Sequence, residues 1–490
     1  MLLSELITGI NGLRSIEGNI QSTEIADITS DSREVRFNSL FVAIPGVKQD
    51  GRQFITHALN RGASTIIVSK GTLSFNNPSN VVILEAENIR GVLSSLAAKF
   101  YPRQPSLIAA ITGTNGKTSI ASFTRQFWSL TNRPAASIGT LGIVSDAAHE
   151  YGSLTTPDAV ELHRSLHTLA KKGIEHVALE ASSHGLEQHR LDNVRLSAAA
   201  FTNLSHEHLD YHETMEKYFL AKQILFRDLL PQSAAAIINN DIAEASQLKD
   251  ICKEKNHHVI TFGTRNADVN LISARNIAEG QELELNIFGE KAKVLFPMPG
   301  LFQAYNLLAA LALVIGCNER PSRLFGHISS LQSVRGRLEL IGRTNGASIY
   351  VDYAHKPMAL ENTLGALKPS AKKLHVVFGC GGDRDKAKRP LMGGIAASVA
   401  DFVYVTDDNP RTEDAGEIRK EILSACPMAY EIADRASAIK EAISALQSGD
   451  ILLVAGKGHE TGQIIGQTIL PFDDAEVIRR ILREKDGVAA

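Results

Sequence analysis

Three stretches of this chain combine residue types that can handle phosphate, a divalent cation and an acyl group. The first is ITGTNGKTS, Ile111–Ser119. Its glycines let backbone N–H groups approach an anion, and a helix starting here adds the positive end of its dipole. Lys117 can reach outer phosphates, and the Thr118 hydroxyl can ligate Mg2+. Gly113 and Gly116 are three apart, whereas the general phosphate loop sets them roughly five apart, so the spacing points to a shortened subgroup. The second stretch, EASSHGLEQHR (Glu180–Arg190), places a carboxylate ahead of hydroxyls, an imidazole and a guanidinium. Glu180 suits Mg2+, which takes oxygen ligands and keeps waters. The third, FTNLSHEHLDYH (Phe201–His212), is dense in histidine. Its composition admits zinc, but neither HExxH nor a cysteine partner accompanies it. The alternative is that a histidine here only satisfies loop backbone.

Lys222 is a different kind of signal. Met215, Tyr218, Phe219, Leu225, Phe226 and Leu229 form one helical stripe, and Lys222 lies on it. A lysine facing inward is costly as an ammonium, and its pKa falls. It either snorkels along the stripe to water, or it is a neutral amine open to modification or a contact to phosphate.

The elements that must position these residues read as strands and helices in alternation. Short Val- and Ile-rich runs alternate with amphipathic stretches, the pattern of parallel sheets covered by helices. Ser39–Gly46 and Ser64–Lys70 read as strands around a helix near Phe54–Asn60; Pro102 and Pro105 break the pattern before a strand at Ser106–Gly113. A helical run at Tyr305–Ile315 is followed by Pro321, and strands recur at Ser348–Val351, Leu374–Phe378, Phe402–Val405 and Ile451–Val454. The reading is α/β with three domains, 1–102, 103–334 and 335–490. Gly113, Glu180, His208, Asp352, Asp383, Asp408 and Lys457 all follow strands, on the side where open parallel sheets bind ligands.

Bulk composition narrows the partners. With 44% hydrophobic and 21% charged residues in 490, the chain can build full cores, which excludes disordered and collagenous classes. A net charge of -3 provides no global field for nucleic acid or anionic lipid. Four cysteines without CxxC spacing fit a reducing cytoplasm. The opening MLLSELITGI has no basic region ahead of a long apolar run, and Leu307–Ile315 is too short to span a bilayer. The expectation is a cytoplasmic, monomeric enzyme with no membrane insertion.

Together the motifs resemble the Mur ligase superfamily, which forms amide bonds at the expense of ATP in peptidoglycan synthesis. The resemblance rests on GTNGKT, TTPDA (Thr155–Ala159), EASSHGLEQHR, FTNLSHEHLDYH, Lys222, Asn306, SVRGRLE (Ser333–Glu339), VDYAHKP (Val351–Pro357), GCGGDRDKAKRP (Gly379–Pro390), DDNPR (Asp407–Arg411) and AGKGHE (Ala455–Glu460). It implies an N-terminal UDP-binding α/β domain, a central phosphate-loop ATPase-like parallel sheet and a C-terminal Rossmann-like domain that holds the amino acid. It also implies that these domains close over the substrates. It is strongest to members adding the third residue of the stem peptide to UDP-N-acetylmuramoyl-L-alanyl-D-glutamate.

Residue by residue, the resemblance implies an ATP site from Gly113, Thr114, Asn115, Gly116, Lys117, Thr118 and Ser119, with Asn306, Arg337 and Asp352. Thr118, Glu180 and His208 would hold Mg2+. Lys222 would be carbamylated, which accounts for its inward position, and Lys117, Glu180, His208 and Lys222 would be the catalytic set. Ser30, Ser32, Val47, Lys48 and Gln49 match the UDP pocket; Thr155, Thr156, Ser182, Gln188 and Arg190 match the positions holding the muramoyl dipeptide. The family adds meso-diaminopimelate or L-lysine, which differ by one carboxylate. Recognising that carboxylate calls for a planar bidentate donor, which arginine supplies. DNPR marks the diaminopimelate enzymes, so Arg384, Asp408, Asn409, Pro410, Arg411, Gly456 and Glu460 are assigned to that amino acid, although Arg411 could also be a surface residue beside Glu413 and Asp414. The implied reaction passes through an acyl phosphate. The rivals are a lysine-adding member, another Mur or folylpolyglutamate-type ligase, and a nucleotide-gated module or ATPase without amide synthesis.

Overall fold

The computed structural model describes residues 1–46, 50–72, 80–152, 154–277 and 280–485. Val47, Lys48 and Gln49, expected in the UDP pocket, lie outside the described residues. The chain divides into two compact units, Met1–Val269 with Leu308–Leu324, and Asn270–Leu307 with Phe325–Ala490.

The first unit carries two sheets. In the smaller, Asp27–Thr29, Ser39–Val42, Ala63–Ser69 and Val82–Ala86 pair in parallel, and Leu13–Glu17 adds an antiparallel edge. The expected strands at Ser39 and Ser64 are present, the first ending at Val42. The edge strand is mostly exposed and has no apolar rhythm, so nothing in its sequence announces it. Six neighbouring strands of the larger sheet run parallel in the order His258–Gly263, Ala235–Asn239, Ala198–Phe201, Leu107–Thr112, His176–Glu180, Ala135–Gly139, and Gly142–Ser145 with His149–Glu150 extend the last one antiparallel. Leu107–Thr112 therefore lies between His176–Glu180 and Ala198–Phe201, and the loops leaving these three carboxyl ends must meet. They carry the three stretches singled out by chemistry.

The helix Met215–Ile224 continues as a π turn, Leu225–Leu229. Phe219, Leu225 and Phe226 pack into the same core as Phe201, with Phe201 edge-on to Phe219 at 5.8 Å between centroids. That packing turns the stripe, and Lys222 with it, towards the sheet. The wider turn leaves the Phe226 carbonyl to accept from His257 Nε2 at 2.8 Å.

The second unit contains a six-stranded sheet in the order Glu339–Thr344, Ala347–Asp352, Ile451–Ala455, Leu374–Phe378, Phe402–Val405, Tyr430–Glu431, parallel except for the first pair. The unit also contains hairpins at Gly280–Phe296 and Gly462–Pro471, neither of which joins this six-stranded sheet. The mixed, largely parallel α/β architecture agrees with the expected fold class. Among the described residues no helix is long and apolar enough to cross a membrane.

Beneath the end of strand Ile451–Ala455, Arg435 and Asp474 form a wholly buried bidentate pair, both bonds 2.7 Å, and Arg435 Nη2 also donates to the Ala455 carbonyl at 2.9 Å. Removing one member leaves the other charge buried alone, which costs about 3–5 kcal/mol. Asp474→Ala is expected to lose about that much stability in urea unfolding, and Asp474→Asn less, because it keeps an acceptor.

Candidate active site

Gly113 leaves the central strand with φ +138°, and a Cβ there would fall 1.9 Å from Thr202 Oγ1, so only glycine fits. The loop is fastened to the next strand's loop: Thr114 N donates to Asn203 O at 2.8 Å, Asn115 N to Asn203 Oδ1 at 2.9 Å, and Thr202 Oγ1 to Asn115 O at 2.7 Å. Gly116, left-handed at φ +88°, precedes the helix Lys117–Leu130, which has no side-chain cap. Its first N–H groups and dipole are thus available to an anion.

Lys117 Nζ folds back to the carbonyls of Gly113 and Thr114, both at 2.8 Å. Lys222 Nζ donates to the same Gly113 carbonyl at 2.9 Å and sits 4.3 Å from the centroid of Tyr218. Lys222 is 1% exposed, so the stripe delivers it inward rather than to water. Burial first, and then the Lys117 charge, hold its pKa well below the ordinary lysine value.

Glu180 is 2% exposed at the end of its strand. It accepts from Thr118 Oγ1 at 3.0 Å, Thr140 N at 2.8 Å and Thr140 Oγ1 at 3.2 Å. A Cβ on Gly139 would lie 2.0 Å from Glu180 Oε1, so a glycine is required for the carboxylate to lie flat there. The same centre organises the residues expected to hold the dipeptide. Thr140 Oγ1 meets Thr155 Oγ1 at 3.1 Å, and Thr156 Oγ1 donates to Glu180 O at 2.8 Å and contacts Ser182 Oγ at 3.0 Å. Arg190 donates to Thr156 O and to Gln188 Oε1, each at 2.7 Å, and Gln188 to Tyr211 Oη at 3.3 Å. All five are joined in one network. His208, left-handed at φ +58°, stands edge-on to His184 at 5.0 Å. Ser32 contacts His57 Nδ1 at 3.0 Å, and Ser30 lies two residues before it, just past the strand Asp27–Thr29.

In the second unit, Asn306 Nδ2 donates to Gln303 Oε1 at 3.0 Å, and Gln303 Nε2 to the Arg337 carbonyl at 3.4 Å. The Arg337 guanidinium lies over the Tyr353 ring at 4.7 Å, and its Nε is buried without a partner among the described residues. Asp352 accepts from Leu338 N at 2.6 Å and Ala354 N at 2.8 Å, and burial raises its pKa despite Arg337. His355 and His459 flank Tyr353; burial lowers both to about 4, so they add no charge beside Arg337.

The Asp408–Arg411 turn is tied on both sides. Asn409 Nδ2 donates to Glu460 Oε2 at 2.9 Å, and Asn409 Oδ1 accepts from Ile464 N at 2.9 Å. Arg411 is left-handed at φ +52°, held by Arg411 N to Ile464 O at 3.0 Å and Gly466 N to Arg411 O at 2.7 Å. Its Nη1 donates to Gly382 O at 2.8 Å. Asp408 lies within 2.8 Å of where a Cβ on Gly456 would be. Pro410 caps the turn, its carbonyl accepting from Glu413 N at 3.1 Å. Arg384 is exposed on the neighbouring Gly381–Lys386 loop.

Three domain profiles match the chain: the Mur ligase family catalytic domain over residues 24–101, the Mur ligase middle domain over 111–314, and the Mur ligase glutamate ligase domain over 336–458. The UDP-N-acetylmuramoyl-L-alanyl-D-glutamate–2,6-diaminopimelate ligase of Bradyrhizobium diazoefficiens is 46% identical over 96% of this chain and 97% of its own. The chain belongs to the Mur ligase family. The ligase of the same description from Brucella melitensis is 48% identical over 94% of each chain. A solved structure, also described as such a diaminopimelate ligase, aligns with TM-score 0.72 and 32% identity over 99% of both chains.

Several residues of this Mur ligase that the site uses had no role assigned from sequence: Thr140, Tyr353, His355 and Lys457, whose Nζ donates to Asn409 Oδ1. Thr140 sits in a plain IGTLG turn, so only the fold reveals that it faces Glu180. Tyr353, His355 and Lys457 lie within recognised motifs, and their position after strands was the available signal. For a metal, Glu180 and Thr118 present hard oxygens at the helix start, while no group of three His, Cys, Asp or Glu side chains gathers among the described residues. That set fits Mg2+, which completes its shell with phosphate and water, and fits zinc poorly.

Because unfolded Lys222 binds its proton more tightly than the folded residue, stability rises with pH towards the ordinary value of 10.5. Urea unfolding in CO2-free buffer between about pH 7 and pH 10 is expected to show this rise in the native chain and a flatter profile in Lys222→Met.

Proposed function

We propose that this ATP-dependent ligase joins meso-diaminopimelate to the D-glutamyl γ-carboxylate of UDP-N-acetylmuramoyl-L-alanyl-D-glutamate. The observation that carries the choice of amino acid is the Arg411 guanidinium. Its Nη1 is used by Gly382 O, and the Nε–Nη2 edge has no acceptor among the described residues. That edge is the one suited to a bidentate carboxylate, and L-lysine lacks the distal carboxylate that would fill it. We assign Asn306, Arg337 and Asp352 to the nucleotide, a reading supported by the buried Arg337 Nε that lacks an acceptor. Thr155, Thr156, Ser182, Gln188 and Arg190 are assigned to the muramoyl dipeptide, and Ser30 and Ser32 to UDP. The functional division follows 1–102, 103–334 and 335–490, and the reaction is placed in the cytoplasm of the cell, catalysed by a monomer.

In the reaction, the glutamyl carboxylate attacks the γ-phosphorus of ATP, ADP leaves, and an acyl phosphate forms. The diaminopimelate amine, as the free base, then attacks the carbonyl carbon; the tetrahedral species expels phosphate, the nitrogen gives up one proton to the departing phosphate or to water, and the amide remains. The helix start at Gly116–Thr118 binds the phosphates, and Lys117 turns from the loop carbonyls to offset their charge. Glu180 and Thr118 would hold Mg2+, which neutralises charge on the transferred phosphoryl group. Most of the acceleration then comes from positioning and charge compensation, with no protein nucleophile. Lys222, buried as a neutral amine, is suited to add CO2 and become an anionic carbamate, releasing one proton.

An amino-acid panel read by phosphate release tests the reading. Release is expected only with the UDP-dipeptide and diaminopimelate both present; equal turnover with L-lysine would refute the specificity. Arg411→Lys should raise the KM for diaminopimelate by about tenfold or more, the worth of a charge-assisted bidentate pair. Lys222→Ala is expected to abolish activity, with partial recovery on adding a small carboxylate.

A further inference from the structure

Lys457 is wholly buried, yet neither the family resemblance nor the proposed reaction gives its ammonium a role. Its Nζ donates to Asn409 Oδ1 and to Glu460 Oε2, each at 3.1 Å. These two acceptors are themselves joined by Asn409 Nδ2 to Glu460 Oε2, so three side chains close a ring. Asn409 stands two residues before Arg411, and its carbonyl is 3.5 Å from Arg411 Nη1. Gln463 Nε2 adds a bond to Asp408 O at 2.8 Å. The ring therefore connects Glu460 with the turn that bears Arg411, two groups assigned to the same amino acid.

Burying an ammonium is costly unless it is paired and hydrogen-bonded. A neutral side chain could fill the same volume, but it would not orient both acceptors. With Lys457 and Ile464 N both donating to Oδ1, the Asn409 amide is locked in one orientation, and its Nδ2 must face Glu460. The charge of Lys457 also keeps Glu460 from turning away, although that carboxylate is 33% exposed.

We propose that Lys457 is a positioning residue that holds Glu460 against the turn bearing Arg411, and so presents the two groups together to diaminopimelate. This rests on the assignment of Arg411 and Glu460 to diaminopimelate. It is tested in the full chain with Lys457→Met and Lys457→Gln, measuring KM for each of the three substrates, kcat, and the preference for diaminopimelate over L-lysine. Both variants are expected to raise the KM for diaminopimelate by about ten- to a hundredfold, the worth of hydrogen bonds to a charged group. The KM values for ATP and the UDP-dipeptide should stay within about twofold, and the preference over L-lysine should narrow. A merely structural lysine would lower stability and kcat without singling out one substrate, and that result overturns the proposal. Should the Met variant fail to fold, the Gln variant, which keeps a donor to Asn409 but no charge beside Glu460, decides alone. A native enzyme inert towards diaminopimelate refutes the functional reading and this inference with it. A native enzyme active on diaminopimelate, with folded variants of unchanged KM, refutes the inference only.

Discussion

The amino groups of two lysines share one carbonyl oxygen, that of Gly113, and the first unit is arranged around that point. Like charges this close repel, and burial raises the cost for Lys222. The arrangement holds because Lys222 need not be charged and because Lys117 has a second acceptor in Thr114. It also makes the loop a poised structure: an incoming polyphosphate gives Lys117 a better partner than two carbonyls. The loop backbone assigned to the phosphate is meanwhile fixed by Asn203 and Thr202.

Glu180 plays the corresponding part on the neighbouring strand. It accepts from Thr118 and Thr140, and its own carbonyl is held by Thr156. One short network thus links the helix that would bind nucleotide to Arg190 and Gln188, assigned to the acceptor substrate. Chemistry at this point needs the acceptor carboxylate and the phosphoryl group held at a fixed separation, and a shared set of hydrogen bonds supplies the rigidity.

In the second unit the same requirement is met by strain and ties. Arg411 occupies a left-handed conformation that ordinary residues adopt at a cost of order 1 kcal/mol; its N–H donates to Ile464 O and its carbonyl accepts from Gly466 N. Asp383, also left-handed at φ +53°, takes Thr412 Oγ1 at 2.7 Å, and Glu413 accepts from the Asp383 N–H at 2.5 Å and from Arg389. The two loops that carry Arg384 and Arg411 are fixed to each other before any ligand arrives.

The sequence by itself determined the alternation of strands and helices, the phosphate loop and the inward lysine, because period, glycine placement and a misplaced charge are local properties. Lys222 was legible since its neighbours Tyr218, Phe219 and Phe226 mark the buried face whatever the rest of the chain does. Motif resemblance supplied the grouping of Thr155, Thr156, Ser182, Gln188 and Arg190, and the fold joins them through Thr140 and Thr156. The edge strand Leu13–Glu17 and the roles of Thr140 and Lys457 were not legible. An edge strand is defined by its partner rather than its own pattern, and a hydrogen bond between residues forty or more positions apart leaves no local trace. Only the tertiary structure decided that Gly113 serves two lysine amino groups, that Gly139 must lack a side chain for Glu180 to fit, and that a buried ammonium closes a ring around Asn409, because each depends on which strand ends the sheet order places side by side.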